Sequence, residues 1–170
     1  MARVNRPKLL VTVLCIGILV TVWHRSRTND EEKVRTILND LATLTTFSGN
    51  KNLPVLLGRA KRIAAKCSED IRFILELKDV EPITVNGRAE LERHILAAYR
   101  ALDSLEVSFT DLEFEKGEEG PYVRVRLSAL GSMPGEEGQF LEMHLVGIAF
   151  KKVDSELKIT EIQQLANLRE

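Results

Sequence analysis

Apolar and polar residues alternate in two stretches of the chain, LEVSFT at residues 105–110 and VRVRLSA at residues 123–129. This alternation is typical of β-strands with one buried face, so both stretches are predicted to be strands. Two more strands are predicted from about residue 139 to 152 and from about 157 to 166. The breaks at residues 117–120, 131–138 and 153–155 are too short for parallel crossovers, which predicts an antiparallel meander of four strands.

The sequence before these strands has the 3.6-residue apolar period of helices. A first helix is predicted to begin at Asn29, where Glu32 completes a capping-box pattern, and a third to begin at Asn86 and Gly87. Between the second and third helices, residues 71–75 alternate like a strand and residues 82–85 form a short extended piece. The chain is therefore predicted to be α+β, with three helices packed on an antiparallel sheet of four to six strands. The apolar stripes of the helices are Val34, Ile37, Leu38, Leu41 and Leu44; Leu56, Leu57, Ala60, Ile63, Ala64 and Cys67; and Leu91, Ile95, Ala98, Tyr99 and Leu102.

Residues 1–28 form a separate basic arm in which an uncharged run from Leu9 to Trp23 lies between basic residues. Extended to residues 7–24, the run would make a helix about 27 Å long, close to the ~30 Å hydrocarbon thickness of a bilayer. We interpret it as a single-pass signal-anchor, with the N-terminus in the cytoplasm and the domain of residues 29–170 outside it. A cleaved signal peptide followed by secretion, and a soluble amphipathic or core helix, are the alternatives.

The formal net charge of −1 hides a difference between these two parts of the chain. Residues 1–28 contain five of the 24 basic residues and none of the 25 acidic residues, so residues 29–170 carry a formal charge of −6. A nucleic-acid-binding domain normally has a basic face. The composition therefore argues against a nucleic-acid partner.

The order of elements resembles that of the nuclear transport factor 2-like superfamily. The resemblance rests on the helix from Asn29, the strand at residues 71–77, the sequence TVNGR at residues 84–88, and four strands that begin near Leu105, Tyr122, Gln139 and Leu157. It implies a curved sheet that, with the helices, forms a cone enclosing a pocket. Members of the superfamily include ketosteroid isomerases, polyketide-cyclase-like and dehydratase enzymes, and non-catalytic association modules, so the fold does not select a function.

A pocket is predicted from the odd-numbered side of the long third strand. Odd positions 141–149 would join Val123 and Val125 as the core face, and the small residues Gly147 and Ala149 would leave space beneath the third helix. On the last strand, an inward Leu157 would bring two polar residues into the same space, although Ile162 could equally define the inner side. The candidate pocket residues are Tyr99, His94, Met143, Leu145, Gly147, Glu161 and Gln163.

The even-numbered positions are predicted to form the opposite face. A hairpin centred on Pro134 would place Arg126 opposite Glu142 and Arg124 opposite His144. These four side chains would form either a solvated ladder of charges or a group that holds a carboxylate or performs acid–base chemistry. Farther along, an apolar end of this face requires cover by a second subunit or another protein, or by the chain's own N-terminal segment. The apolar residues at that end are Val146, Ile148 and Phe150.

Other chemical signals in the sequence are weaker. Four bases around the second helix could form a phosphate or lipid-headgroup site or a solvated face; they are Arg59, Lys61, Arg62 and Lys66. Cys67 is interpreted as a small core residue rather than a reactive thiol. The three histidines have no metal-ligand spacing and no nucleotide-binding motif is present, so no metal or cofactor is predicted.

Three functions follow from these observations taken together with what the family resemblance implies. The first is a membrane-anchored, non-catalytic association module or small-ligand-binding module that pairs with a second copy through its sheet face and takes a small apolar ligand. The second is an isomerase-, dehydratase- or cyclase-like enzyme acting on a small apolar substrate in the cone. The third is an assembly subunit of a membrane complex such as a bacterial type IV secretion system, whose subunits share the fold and the single anchor.

Overall fold

The computed structural model describes residues 29–49, 52–75, 83–135 and 137–167. The predicted membrane segment at residues 7–24, and with it the predicted localisation, lies outside the described residues. Among the residues that are described, no helix is both long enough and apolar enough to cross a bilayer. The structure therefore concerns the predicted domain that begins at residue 29.

Three helices are present in the described ranges, as predicted. α1 covers residues 29–45, α2 covers Leu53–Ala64 and α3 covers Arg88–Ala101. Pro54 lies in the first turn of α2, where its missing N–H removes no helical hydrogen bond. Gly87 precedes α3 with a φ of 84°, a conformation that favours glycine, which confirms the predicted start of this helix.

The described residues form seven strands: β1 Phe47–Ser48, β2 Cys67–Leu75, β3 Ile83–Asn86, β4 Ser104–Lys116, β5 Pro121–Ser132, β6 Phe140–Val153 and β7 Glu156–Asn167. They make one mixed sheet in the order β1-β4-β5-β6-β7-β2-β3. The predicted meander of β4 to β7 is confirmed, but the prediction of an antiparallel sheet of four to six strands is wrong, because the sheet has seven strands and β2 pairs with β7 in parallel. The connection from β2 to β7 includes β3, α3 and strands β4 to β6, so it is long enough to permit a parallel pairing.

The register of β5 and β6 reverses the predicted faces of β6. Val125 pairs with Val146 and Arg124 pairs with Gly147, whereas a hairpin centred on Pro134 would pair Arg124 with His144. This difference of three residues is odd, and an odd shift moves every side chain of one strand to the other face. We call the helix-covered side of the sheet the inner face and the opposite side the outer face.

The predicted apolar interface is consequently part of the core. Val146, Ile148 and Phe150 are at most 3% exposed and belong to the buried cluster of the inner face, so their placement on an open surface was wrong. They need no second subunit as cover because the chain's own helices supply it. Side chains from α1, including Val34 and Leu38, belong to the same cluster.

A bulge in β7 settles the two alternatives that its sequence left open. Phe150 pairs with Ile159 and Ala149 pairs with Glu161, so one extra residue, Thr160, lies between them. Its hydroxyl donates a hydrogen bond to the Ala149 carbonyl. The bulge brings Ile159 and, beyond it, Ile162 to the inner face and turns Glu161 outward.

Candidate functional site

The residues predicted to line one pocket lie in three different environments. Tyr99 is in the core, while the His94 side chain is 55% exposed on α3, with its Nε2 4.0 Å from the Glu90 carboxylate. Glu161 pairs with Arg72 on the outer face. The structure therefore does not bring the predicted pocket together. The remaining members, Met143, Leu145, Gly147 and Gln163, also have outer-face positions.

Tyr99 has a structural role at the junction of α1, β1 and α3. Its ring meets the Phe47 ring edge to face, with 5.0 Å between the ring centroids. The buried hydroxyl donates a 2.8 Å hydrogen bond to the Leu44 carbonyl at the end of α1. Burial raises the pKa of Tyr99 to about 12, so the phenol remains a neutral donor at ordinary pH.

The inner face changes from closed to partly open along β5 and β6. At the level of Val125 and its partner Val146, both side chains are at most 3% exposed. The next levels pair Leu127 with His144 and Ala129 with Glu142, and these side chains are partly exposed. Phe109 of β4 pairs with Leu127 on the other side. We call Phe109, Leu127, Ala129, Glu142 and His144 the open inner face.

An ionisable pair lies in this apolar environment. His144 Nε2 is 3.7 Å from Glu142 Oε2, and the two side chains are 13% and 30% exposed. Both side chains project inward, because His144 and Glu142 are paired with the inner-face residues Leu127 and Ala129. An imidazole beside a carboxylate can bind a polar ligand group or exchange a proton with it. The pair was predicted to lie on the solvent face with Arg124 and Arg126. Only the two arginines lie there, where Arg124 contacts Glu115 and Arg126 contacts Asp111.

Small residues shape the end of the open inner face. Ala129 is followed two positions later by Gly131, whose partner on β6 is Phe140. A Cβ at Gly131 would lie 2.5 Å from the tip of the Phe140 ring, so the ring lies directly over this glycine. The absence of a side chain at Gly131 therefore lets Phe140 form the end wall of the open inner face.

A second depression lies where the edge strand β1 meets α2 and the beginning of β4. It has a volume of about 610 Å³, and its polar lining residues include Arg59, Glu106, Ser48 and Ser104. Because both sides of the β4 edge contribute to it, this depression is a groove at the sheet edge rather than the interior of the cone. The cone interior is represented by the open inner face.

Neither a metal centre nor a thiol site is indicated in the part of the chain described by the structure. The described residues contain no group of three His, Cys, Asp or Glu side chains that could hold a metal ion. Cys67 begins β2, rather than lying in α2 as its spacing predicted, and it is 2% exposed. Burial raises the pKa of its thiol to about 11, an effect only partly offset by the charges of Arg88 and Lys158. Its interpretation as a core residue agrees with this environment.

No family model matches this sequence, and the comparison with curated proteins found no match either. Solved structures do match. A nuclear transport factor 2-like protein with a cystatin-like fold from Novosphingobium aromaticivorans has a TM-score of 0.65 and 17% identity, over 86% of this chain and 88% of that chain. The protein Kfla4162 from Kribbella flavida has a TM-score of 0.68 and 9% identity, over 84% of this chain and 93% of that one.

A further similar structure is an N. aromaticivorans protein provisionally named a scytalone dehydratase. It has a TM-score of 0.66 and 11% identity, over 86% of this chain and 89% of that chain. The TM-scores establish the architecture, whereas identities this low leave the chemistry of the site open. This chain therefore has the nuclear transport factor 2-like, cystatin-like α+β fold, and the resemblance inferred from its order of elements is confirmed at the level of fold.

Proposed function

We propose that this protein is a small-ligand-binding module whose site is the open inner face. The observation that carries the proposal is the inward-facing pair of His144 and Glu142, 3.7 Å apart beside apolar side chains. Ligand sites typically combine a mostly apolar lining with a few polar groups that orient the ligand. The uncharged run at residues 9–23 supports attachment of the module to a membrane.

The lining suits a flat apolar molecule that carries one hydrogen-bonding group. Phe109 and Leu127 offer apolar surface on the neighbouring strands, and Ala129 adds only a methyl group beside them. Only His144 and Glu142 among these five positions can hydrogen-bond through a side chain. A ligand without a polar group would therefore lose the orienting contact but keep the apolar ones.

Binding can be tested with 2-naphthol and naphthalene as probes of the full-length chain, followed by fluorescence titration. We expect His144→Ala to weaken 2-naphthol binding about tenfold with little effect on naphthalene, because one hydrogen bond to a partly buried group is worth about 1–1.5 kcal/mol. Leu127→Trp should block both probes by filling the site. Leu141→Trp is the matched control, since Leu141 lies on the outer face and is 53% exposed.

The proposal fails if neither probe binds saturably to the wild-type chain. It also fails if Leu127→Trp and Leu141→Trp, each shown by circular dichroism to be folded, bind both probes as well as the wild type. In that case the bound probe would lie elsewhere on the protein.

A second candidate function is acid–base catalysis at the same site, favoured by the contact between His144 and Glu142. His144 would remove a proton next to a carbonyl group, and the Glu142 carboxylate would stabilise the imidazolium that forms. The assay is deuterium exchange at the α-carbon of 2-tetralone in heavy water, followed by proton NMR. Exchange faster than in buffer, abolished by His144→Ala and retained in Leu141→Ala, supports catalysis; an unchanged rate supports binding alone.

We also propose that two copies pair through the outer face. The apolar strip there consists of Leu130, Leu141, Met143 and Leu145, in which Leu130 and Leu141 are directly opposite each other. Ion pairs border this strip, with the Arg126 guanidinium 3.2 Å from the Asp111 carboxylate. Because these paired charges are neutralised within the chain, they would add little like-charge repulsion to the approach of a two-fold-related copy.

Sedimentation velocity of the full-length chain in a non-ionic detergent tests this pairing. Leu145→Glu should convert a dimer to a monomer by placing a carboxylate in the apolar strip. Leu53→Glu is the control, because Leu53 is 47% exposed at the start of α2, away from the sheet face. Equal sedimentation of the wild type and Leu145→Glu would contradict the proposal.

A further inference from the structure

A cavity of about 400 Å³ between α1 and α2 is lined by an unusual group of charges. Arg59 and Arg62 come from α2, Lys66 follows that helix, and Asp40 comes from α1. The cavity is distinct from the open inner face, since the two share no lining residue. Its apolar wall includes Leu44.

The cavity is positively charged within an acidic domain. Three cations and one carboxylate line it, and the carboxylate of Asp40 lies 2.6 Å from the Lys66 ammonium. Two formal positive charges remain uncompensated within the cavity, whereas residues 29–170 as a whole carry −6. A local charge opposite to that of the domain favours an anion at this position.

The two guanidinium groups are arranged differently. Arg59 donates from Nη1 to the Thr46 carbonyl at 2.6 Å, which ties it to the chain just after α1 and leaves its other N–H groups for a ligand. The Arg62 side chain is exposed at the cavity, and its guanidinium makes no hydrogen bond or ion pair with another residue of the described ranges. One donor is thus held in place and the other can reorient around a bound group.

The α2 dipole does not account for this arrangement. Bases in the last turn of a helix interact favourably with its C-terminal carbonyls, which would explain Lys61 and Arg62. Arg59 lies before that turn, and Lys66 lies beyond the helix. The helix dipole therefore does not account for the convergence of Arg59 and Lys66 with Arg62 on one cavity.

We propose that this cavity binds a phosphate monoester group. Its two negative charges match the two uncompensated cations, and guanidinium groups bind tetrahedral oxyanions through paired N–H donors. The volume exceeds that of phosphate alone, so an organic substituent can lie against Leu44. The phosphate belongs either to a free phosphorylated metabolite or to the headgroup of a phospholipid, since both present the same chemical group.

The test is calorimetric titration of the full-length chain in chloride buffer with inorganic phosphate, glycerol 3-phosphate and monomeric dihexanoyl phosphatidate. Arg62→Ala should weaken all three at least tenfold. Lys61→Ala removes the same charge from the adjacent residue, which does not line the cavity, and should change affinity less than twofold. Arg62→Glu should abolish binding. Circular dichroism serves as the control that each variant is folded.

The source of the phosphate is decided by comparing ligands. Phosphatidate that binds at least tenfold more tightly than glycerol 3-phosphate assigns the site to a lipid headgroup, whereas similar affinities assign it to a soluble phosphomonoester. The proposal is overturned if none of the three binds, or if Lys61→Ala weakens binding as much as Arg62→Ala does. His144→Ala should leave phosphate affinity unchanged, so this test and that of the open inner face fail independently.

Discussion

Alanine substitutions at Ile148 and Leu141 test which face of β6 is buried. Both residues belong to β6, but Ile148 is 1% exposed and Leu141 is 53% exposed. Ile148 lies between its strand partners Val123 and Ile162 on the inner face. Removing its buried side chain loses the transfer free energy and leaves a cavity, so Ile148→Ala should lower the free energy of unfolding by about 3–5 kcal/mol. Leu141→Ala should cost less than about 1 kcal/mol because this residue is already half in water.

The assay is urea denaturation followed by far-UV circular dichroism. With a slope of about 2 kcal/mol per molar urea for a domain of this size, the midpoint of Ile148→Ala should fall by about 1.5–2.5 M and that of Leu141→Ala by less than about 0.5 M. Measurements at two protein concentrations separate these effects from loss of a dimer, whose midpoint depends on concentration. A greater loss of stability in Leu141→Ala than in Ile148→Ala would show that the odd-numbered residues of β6 are the buried ones, and would refute the face assignment.

Three further predictions concern single contacts. Tyr99→Phe should lower stability by about 1–2 kcal/mol in chemical denaturation, because the buried Leu44 carbonyl loses its hydrogen bond from the phenol. Burial raises the pKa of Cys67 from 9.0 to about 11, so the thiol loses its proton at lower pH in the unfolded chain than in the folded one. The free energy of unfolding should therefore fall between about pH 9 and 11 by roughly 1 kcal/mol per pH unit, and less steeply in Cys67→Ala. Gly120→Ala should lower the melting temperature by several degrees, because its Cβ would collide with the Phe150 carbonyl, and an unchanged temperature would contradict this close approach.

Most elements could be predicted because their apolar periods are strong and their breaks are marked. The predicted strand at residues 139–152 is β6, Phe140–Val153, and the predicted start of α3 at Gly87 is correct. Glycine and proline limited the errors at these ends to one or two residues. Cys67 was wrongly predicted to lie in α2, because a buried residue at the start of a strand can continue the apolar period of the preceding helix.

The pairing of distant strands could not be predicted from local patterns. The contact of Phe73 with Ile162 across the parallel β2–β7 pair joins residues that are far apart in sequence, and nothing in either strand identifies the other. The β7 bulge at Thr160 could not be predicted either, because nothing in the composition of the strand marks the position of the extra residue. It reverses the alternation within the strand, which explains why Ile159 and Ile162 both point inward.

The register of β5 and β6 is a different case, because the sequence did contain the necessary signal. Its centre lies midway along MPGEEG, residues 133–138, since Gly131 pairs with Phe140. Centring the turn on Pro134 alone ignored the second glycine, Gly138, whose φ of 124° marks the other end of the connection. The connection of residues 133–138 therefore pairs Arg124 with Gly147, three residues beyond the His144 partner expected from a turn centred on Pro134. The choice of loop centre thus decided the faces of an entire strand.

That choice also changed the chemistry assigned to His144 and Glu142. On a solvated face, an imidazole and a carboxylate would be one more exposed pair with little effect on stability. On the inner face, the two side chains are 13% and 30% exposed and lie beside apolar residues of the neighbouring strand. Leucine or valine at these positions would instead continue the apolar core formed by Val125 and Val146. Two ionisable groups at the partly open end of the inner face are therefore the basis of the proposed ligand site, and the titrations of His144→Ala and Leu127→Trp test whether a ligand contacts them.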